Sequence, residues 1–219
     1  MRSKIYGILF VVLMFVLFMV GIILFPSLFF AFLGSIFIAI PIGGIVFFVP
    51  FLYFLFKGTG VKFGGCNAYR EKNDLFTMCR LLCTGVILAL LSVFYYRMTD
   101  QYTMPEYQNV ATYELIANGF NLLLLGPILE ELFFRKWIIE YLEKKGVETL
   151  YILVLTTVLF LLVHIGWDKI WYSRLDVIPF AIVLGLIYMK YRDVRYCIFV
   201  HFVNNLVVNL INLSNYLLQ

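Results

Sequence analysis

The 219-residue chain is predicted to be all-α, a polytopic bundle of about seven transmembrane helices with its N-terminus in the cytoplasm. Three observations lead there. Hydrophobic residues make up 63% of the sequence and charged residues 14%, where soluble domains carry about a quarter charged residues. Mean hydropathy is +0.94, and apolar stretches return down to the C-terminus, unlike a cleaved leader ahead of a polar mature chain. Lys and Arg gather on alternate connections between those stretches. No basic tract suits nucleic acid, and neither a soluble domain nor an internal repeat is visible, so the expected setting is the lipid bilayer of the cell membrane.

A span takes about 20 residues at about 1.5 Å each. Residues 5–56 are almost uninterrupted apolar, enough for two helices with a tight turn at Pro26 and Ser27 and a kink at Pro41, Gly43 and Gly44. A polar, glycine-containing loop, 57–74, comes next. Residues 75–96 form the third span, followed by a loop of about 15 residues from Arg97. The fourth runs over 113–134 and passes into an amphipathic tail, 136–145, stopped by Gly146. Residues 149–165, a short 177–189 and 196–218 complete the set. The chain therefore divides into 1–112, three spans with a cytoplasmic loop, and 113–219, a four-helix membrane core.

The basic residues orient these spans. Arg2 and Lys4; Lys57, Lys62, Arg70 and Lys72; Lys136, Lys144 and Lys145; and Lys190, Arg192 and Arg195 fall on one set of connections, against Arg97, Lys169 and Arg174 on the other. Seven alternating spans put the first set in the cytoplasm and the C-terminus outside. Cys66, Cys79, Cys83 and Cys197 form no CxxC or Cys/His cluster and are assigned no chemistry.

Ionisable groups inside such spans are costly and point to a task. Glu130 and Glu131 end the fourth span, and both histidines, His164 and His201, lie in later ones. Adjacent carboxylates project about 100° apart on a helix, while Glu131 and Arg135 share a face four residues apart. Glu131 is therefore expected to pair with Arg135, and Glu130 to face the bundle as a proton acceptor for water. The plainer reading puts both glutamates at the headgroups with Arg135 snorkelling. His201, Asn205, Asn209 and Asn212 make one polar stripe on the last helix, which has to face protein or water. Packing alone could explain the asparagines, and a hydrogen-bonded helix end could explain His164. Counted along the helices, Glu130 lies about 6 Å and His201 about 9 Å from the cytoplasmic face, but His164 about 22 Å in from Thr149. A tilt, a later helix start or an inward dip of 166–174 is needed to bring it level.

Glu130-Glu131-x-x-x-Arg135, Phe160-x-x-x-His164 and His201-x-x-x-Asn205, in this order on membrane helices, resemble the CPBP family of intramembrane proteases. That family includes the type II CAAX prenyl endopeptidases and bacterial proteins linked to bacteriocin processing and self-immunity. The resemblance covers about residues 115–212 and makes 113–219 the catalytic part. It implies peptide-bond hydrolysis on a membrane-associated peptide or protein, with Glu130 and His164 activating water, His201 and Asn205 holding the oxyanion, and Glu131 and Arg135 in support. A metal-free mechanism is expected. The alternative is Zn²⁺ held by Glu130, His164 and His201, although His-Glu-x-x-His is absent. Two further classes remain: a nonenzymatic membrane protein, acting in bacteriocin self-immunity or as a partner-binding scaffold, and a transporter or channel built on the polar stripe.

Overall fold

The structure is a computed structural model, and it describes residues 2–62, 75–99, 111–165 and 174–217. Among these residues the chain is helical without strands. We label the helices α1 (Arg2–Leu33), α2 (Ile36–Thr59), α3 (Leu75–Met98), α4 (Thr112–Lys144), α5 (Thr149–His164), α6 (Val177–Tyr191) and α7 (Val194–Leu217). All but α5 and α6 are long and apolar enough to cross a membrane; those two are shorter apolar helices of 16 and 15 residues. This is the polytopic helical class expected from the sequence. Most of the loop 57–74, the loop after Arg97, and residues 166–173, with Cys66, Arg70, Lys72 and Lys169, lie outside the described residues.

The first turn is not where the sequence placed it. α1 runs through Pro26, and the chain reverses at Gly34, whose φ of 68° stops the helix in the left-handed conformation that glycine tolerates. Proline inside a membrane helix is tolerated where neighbours re-satisfy the backbone. Here the Ser27 hydroxyl donates to the Ile23 carbonyl at 2.7 Å, and α2 passes directly over the site. A Cβ on Gly43 would stand 2.8 Å from the Pro26 nitrogen, and one on Gly21 would stand 1.9 Å from the Phe47 ring. Small residues thus let the two backbones close on each other. α2 itself continues through Pro41, Gly43 and Gly44.

The chain forms two compact units, Met1–Gly65 with Asn109–Leu153, and Cys66–Gln108 with Val154–Gln219. In the first, α1, α2 and α4 share an aromatic core. Phe133, Trp137 and Tyr141, spaced four apart on α4, stack at 5.5 Å from ring to ring, and Phe18 of α1 lies parallel on Phe133 at 4.3 Å. The Trp137 indole donates to Thr59 Oγ1 at 3.1 Å, and Lys144 Nζ to the Gly60 carbonyl at 2.5 Å, tying the end of α2 to α4. At its other end α4 is capped by Glu114, which accepts from the Ala111 amide at 3.2 Å and from the Ser35 hydroxyl. In the second unit α3 lies against α7 so closely that a Cβ on Gly85 would stand 2.7 Å from Val203. Cys197 of α7 donates to the Leu184 carbonyl of α6 at 3.4 Å.

Gly43→Leu is predicted to destabilise the purified protein in detergent by about 1–3 kcal/mol, the cost typical of overpacking, read as a lower thermal midpoint, because its neighbour is backbone and cannot swing aside. An unchanged midpoint would contradict this approach of α1 and α2.

Candidate active site

α4 is not a plain α-helix where it carries the carboxylates. Asn121–Leu125 and Leu132–Ile139 are π-helical, and Gly126–Glu131 between them is α-helical. Pro127 has no N–H to offer the preceding turn, and the Gly126 amide reaches back five residues to the Asn121 carbonyl. Single π turns inside α-helices occur often at functional sites. Gly126 also leaves room beside Glu130: a Cβ there would be 3.0 Å from the Asn121 carbonyl and 3.8 Å from Glu130 Oε1. Glu130 is half-buried, with its Oε2 shut away from the surface.

Glu131 and Arg135 are sealed in the core at 0% and 2% exposure. Arg135 Nη1 donates to Glu131 Oε1 at 3.1 Å, the pairing that their spacing predicts. One turn on, Lys136 Nζ meets Glu140 Oε1 at 2.5 Å. Taking one partner away from a buried ion pair leaves a charge with no water to turn to. Arg135→Met is therefore predicted to cost about 3–5 kcal/mol, and Glu131→Gln in the same chain to restore much of it. Equal losses in the single and double variants, read from thermal unfolding, would refute the pairing.

The second unit holds the imidazoles. His164, half-buried at the end of α5, has Nδ1 at 2.8 Å from the Phe160 carbonyl. A carbonyl can only accept, so Nδ1 carries a proton. The His164 ring also lies 4.4 Å from the Phe160 ring. His201 of α7, 4% exposed, has its ring 6.2 Å from Phe160 and 4.8 Å from Phe180 of α6, edge on to both. Both imidazoles therefore border one phenylalanine. α5 begins at Thr149 as expected, so a later helix start is not what brings both imidazoles against Phe160.

Asn205, one turn after His201, is half-buried. Its Oδ1 accepts from Asn204 Nδ2 at 3.1 Å, so its own amide nitrogen, the donor, lies on the other side of the group. Asn209 Nδ2 donates to the Asn205 carbonyl at 2.7 Å, extending the polar stripe as hydrogen bonds along the helix. Sequence reasoning missed Asn204, which is 9% exposed and three residues from His201, a spacing that also shares a face. It missed Thr157 too, seven residues before His164, whose buried hydroxyl has no hydrogen-bond partner among the described residues.

Glu130 belongs to the first unit and both histidines to the second. Among the described residues neither unit gathers three His, Cys, Asp or Glu side chains into a metal-holding group, so the donors within a unit do not make a zinc site. Cys79 and Cys83 are free and exposed, and Cys197 is free and buried.

UPF0177 protein YbdJ of Lactococcus lactis subsp. lactis (strain IL1403) is 26% identical over 147 residues, 64% of this chain, and the match spans 62% of that relative's length. No solved structure matches significantly. Residues 112–207, which hold every motif residue named above, match the family described as Type II CAAX prenyl endopeptidase Rce1-like. That match runs from the start of α4 into α7.

Proposed function

We propose that the protein is an intramembrane endopeptidase that hydrolyses a peptide bond in a membrane-associated protein or peptide. The observation that supports this reading is the pair of imidazoles bordering Phe160, His164 with Nδ1 on the Phe160 carbonyl and His201 edge on to the same ring, in a family-matched segment that also carries Glu130. In the proposed reaction the Glu130 carboxylate takes a proton from water while His164 Nε2 accepts its second hydrogen and orients it. The oxygen attacks the scissile carbonyl carbon, and the developing oxyanion receives hydrogen bonds from the His201 imidazole and the Asn205 amide. As the C–N bond breaks, Glu130 returns its proton to the leaving amine. Glu131 and Arg135 take no part in bond making; their buried pair fixes the turn of α4 that carries Glu130.

An apolar cavity of about 630 Å³ in the first unit supports a substrate that brings hydrophobic bulk. Leu125, Ile128, Leu129 and Leu132 of α4 line one wall and Leu52 and Phe56 of α2 the other. The basic connections further support access from the cytoplasm.

Purified wild-type protein and Glu130→Gln, incubated in detergent with a library of membrane peptides, test the reading directly. Glu130→Gln and His164→Ala are expected to slow cleavage by about a hundredfold or more, and Asn205→Ala by about 10²–10³, at unchanged folded yield. Wild-type turnover in folded Glu130→Gln or His164→Ala protein would end the proposal. For the orientation, a reporter fused after Gln219 is expected outside the cytoplasm, and a cytoplasmic signal would reverse it.

A further inference from the structure

Four cations among the described residues sit beside a carboxylate close in sequence. Arg135 has Glu131, Lys136 has Glu140, Arg174 has Asp176, and Arg195 grips Asp193 through Nε at 2.9 Å and through Nη2. Arg80 of α3 and Lys190 of α6 differ. Among the described residues neither has a carboxylate partner; each lies against an aromatic ring instead, Arg80 4.0 Å from the centre of Phe76 and Lys190 4.7 Å from that of Tyr191. They nevertheless flank the same cleft in the second unit, a hollow of about 290 Å³ walled by Leu81, Val183, Leu186 and Ile187.

Two like charges facing one cleft repel unless an anion sits between them. Arg80 lies in the second turn of α3 and Lys190 one residue before the end of α6, so both are near the helix ends that the sequence orients toward the cytoplasm. Below them the walls are apolar, and Leu186 is 50% exposed, so the cleft opens sideways toward the acyl phase. A free anion would use the rim alone, whereas a phosphodiester attached to an acyl chain uses the rim and the walls together. Basic pockets between membrane helices hold lipid headgroups in this way.

We propose that the cleft between α3 and α6 is a binding site for an anionic phospholipid, with its phosphate between Arg80 and Lys190 and the start of one acyl chain along Leu81, Val183, Leu186 and Ile187. The site is independent of the proposed peptidase activity, and its occupancy is read without any substrate.

The test uses full-length protein in vesicles of phosphatidylcholine alone or mixed with phosphatidylglycerol. Lipid retained after mild detergent extraction is counted by native mass spectrometry. Wild-type protein is expected to retain phosphatidylglycerol over phosphatidylcholine, and Arg80→Gln and Lys190→Gln each to reduce that preference about fivefold, the effect of one cation at a membrane surface. Arg80→Lys is expected to keep most of it. Lys57→Gln, which removes an exposed cation in the other unit, is expected to leave it unchanged. Equal retention of both lipids by wild type, or equal loss in Lys57→Gln, would reduce the effect to general surface charge and overturn the site. Displacement of phosphatidylglycerol by inorganic phosphate or by an acidic peptide would assign the cleft to a soluble anion or a peptide and overturn the lipid. Thermal unfolding in phosphatidylcholine checks that each variant is folded. Should Arg80→Gln fail that check, Lys190→Gln, on a different helix, decides.

Discussion

A carboxylate and a guanidinium closed inside a protein that itself lies in hydrocarbon have no water to fall back on. The Glu131–Arg135 pair meets that condition within one helix turn, with both groups almost wholly buried. Much of the first unit is arranged around it. Phe134 packs beside the guanidinium, whose carbon is 5.9 Å from the ring centre, and the neighbouring Phe133 begins the aromatic stack that joins α4 to α1. Such a pair does little for stability compared with apolar residues of the same volume. The pair joins two residues of one helix and lies on the face of α4 turned into the core, with Glu130 half-buried about 100° round from Glu131.

The second unit solves the same problem with neutral groups. His164 spends one nitrogen on a backbone carbonyl of its own helix, and the asparagines of α7 pass hydrogen bonds from one to the next. Phenylalanines fill the space between the imidazoles, so His201 is dry and held at its edges.

The helices after the first hairpin were legible in the sequence to within a few residues, because charged and glycine-containing connections bound them and Gly146 marks a stop with φ of 75°. The hairpin turn lies at Gly34 and not at Pro26, since proline is tolerated inside a membrane helix, and here α2 packs closely against it through Gly43. The π-helical stretches of α4 left no pattern to find: where nearly every residue is apolar, a change of helical period alters no visible face. The Gly126-Pro127 step was the one local sign. The spacing of Glu131 and Arg135 revealed their pairing, while the burial of Asn204 stayed hidden because the polar stripe was drawn through offsets of four and eight.

The shortness of α5 carries a consequence for how the bilayer meets this protein. Sixteen residues extend about 24 Å, some 6 Å less than an average hydrocarbon layer is thick. A bilayer accommodates a short helix by thinning around it. The 15-residue α6 is shorter still, so the bilayer is expected to be locally thinner beside these two helices than beside the 32-residue α1.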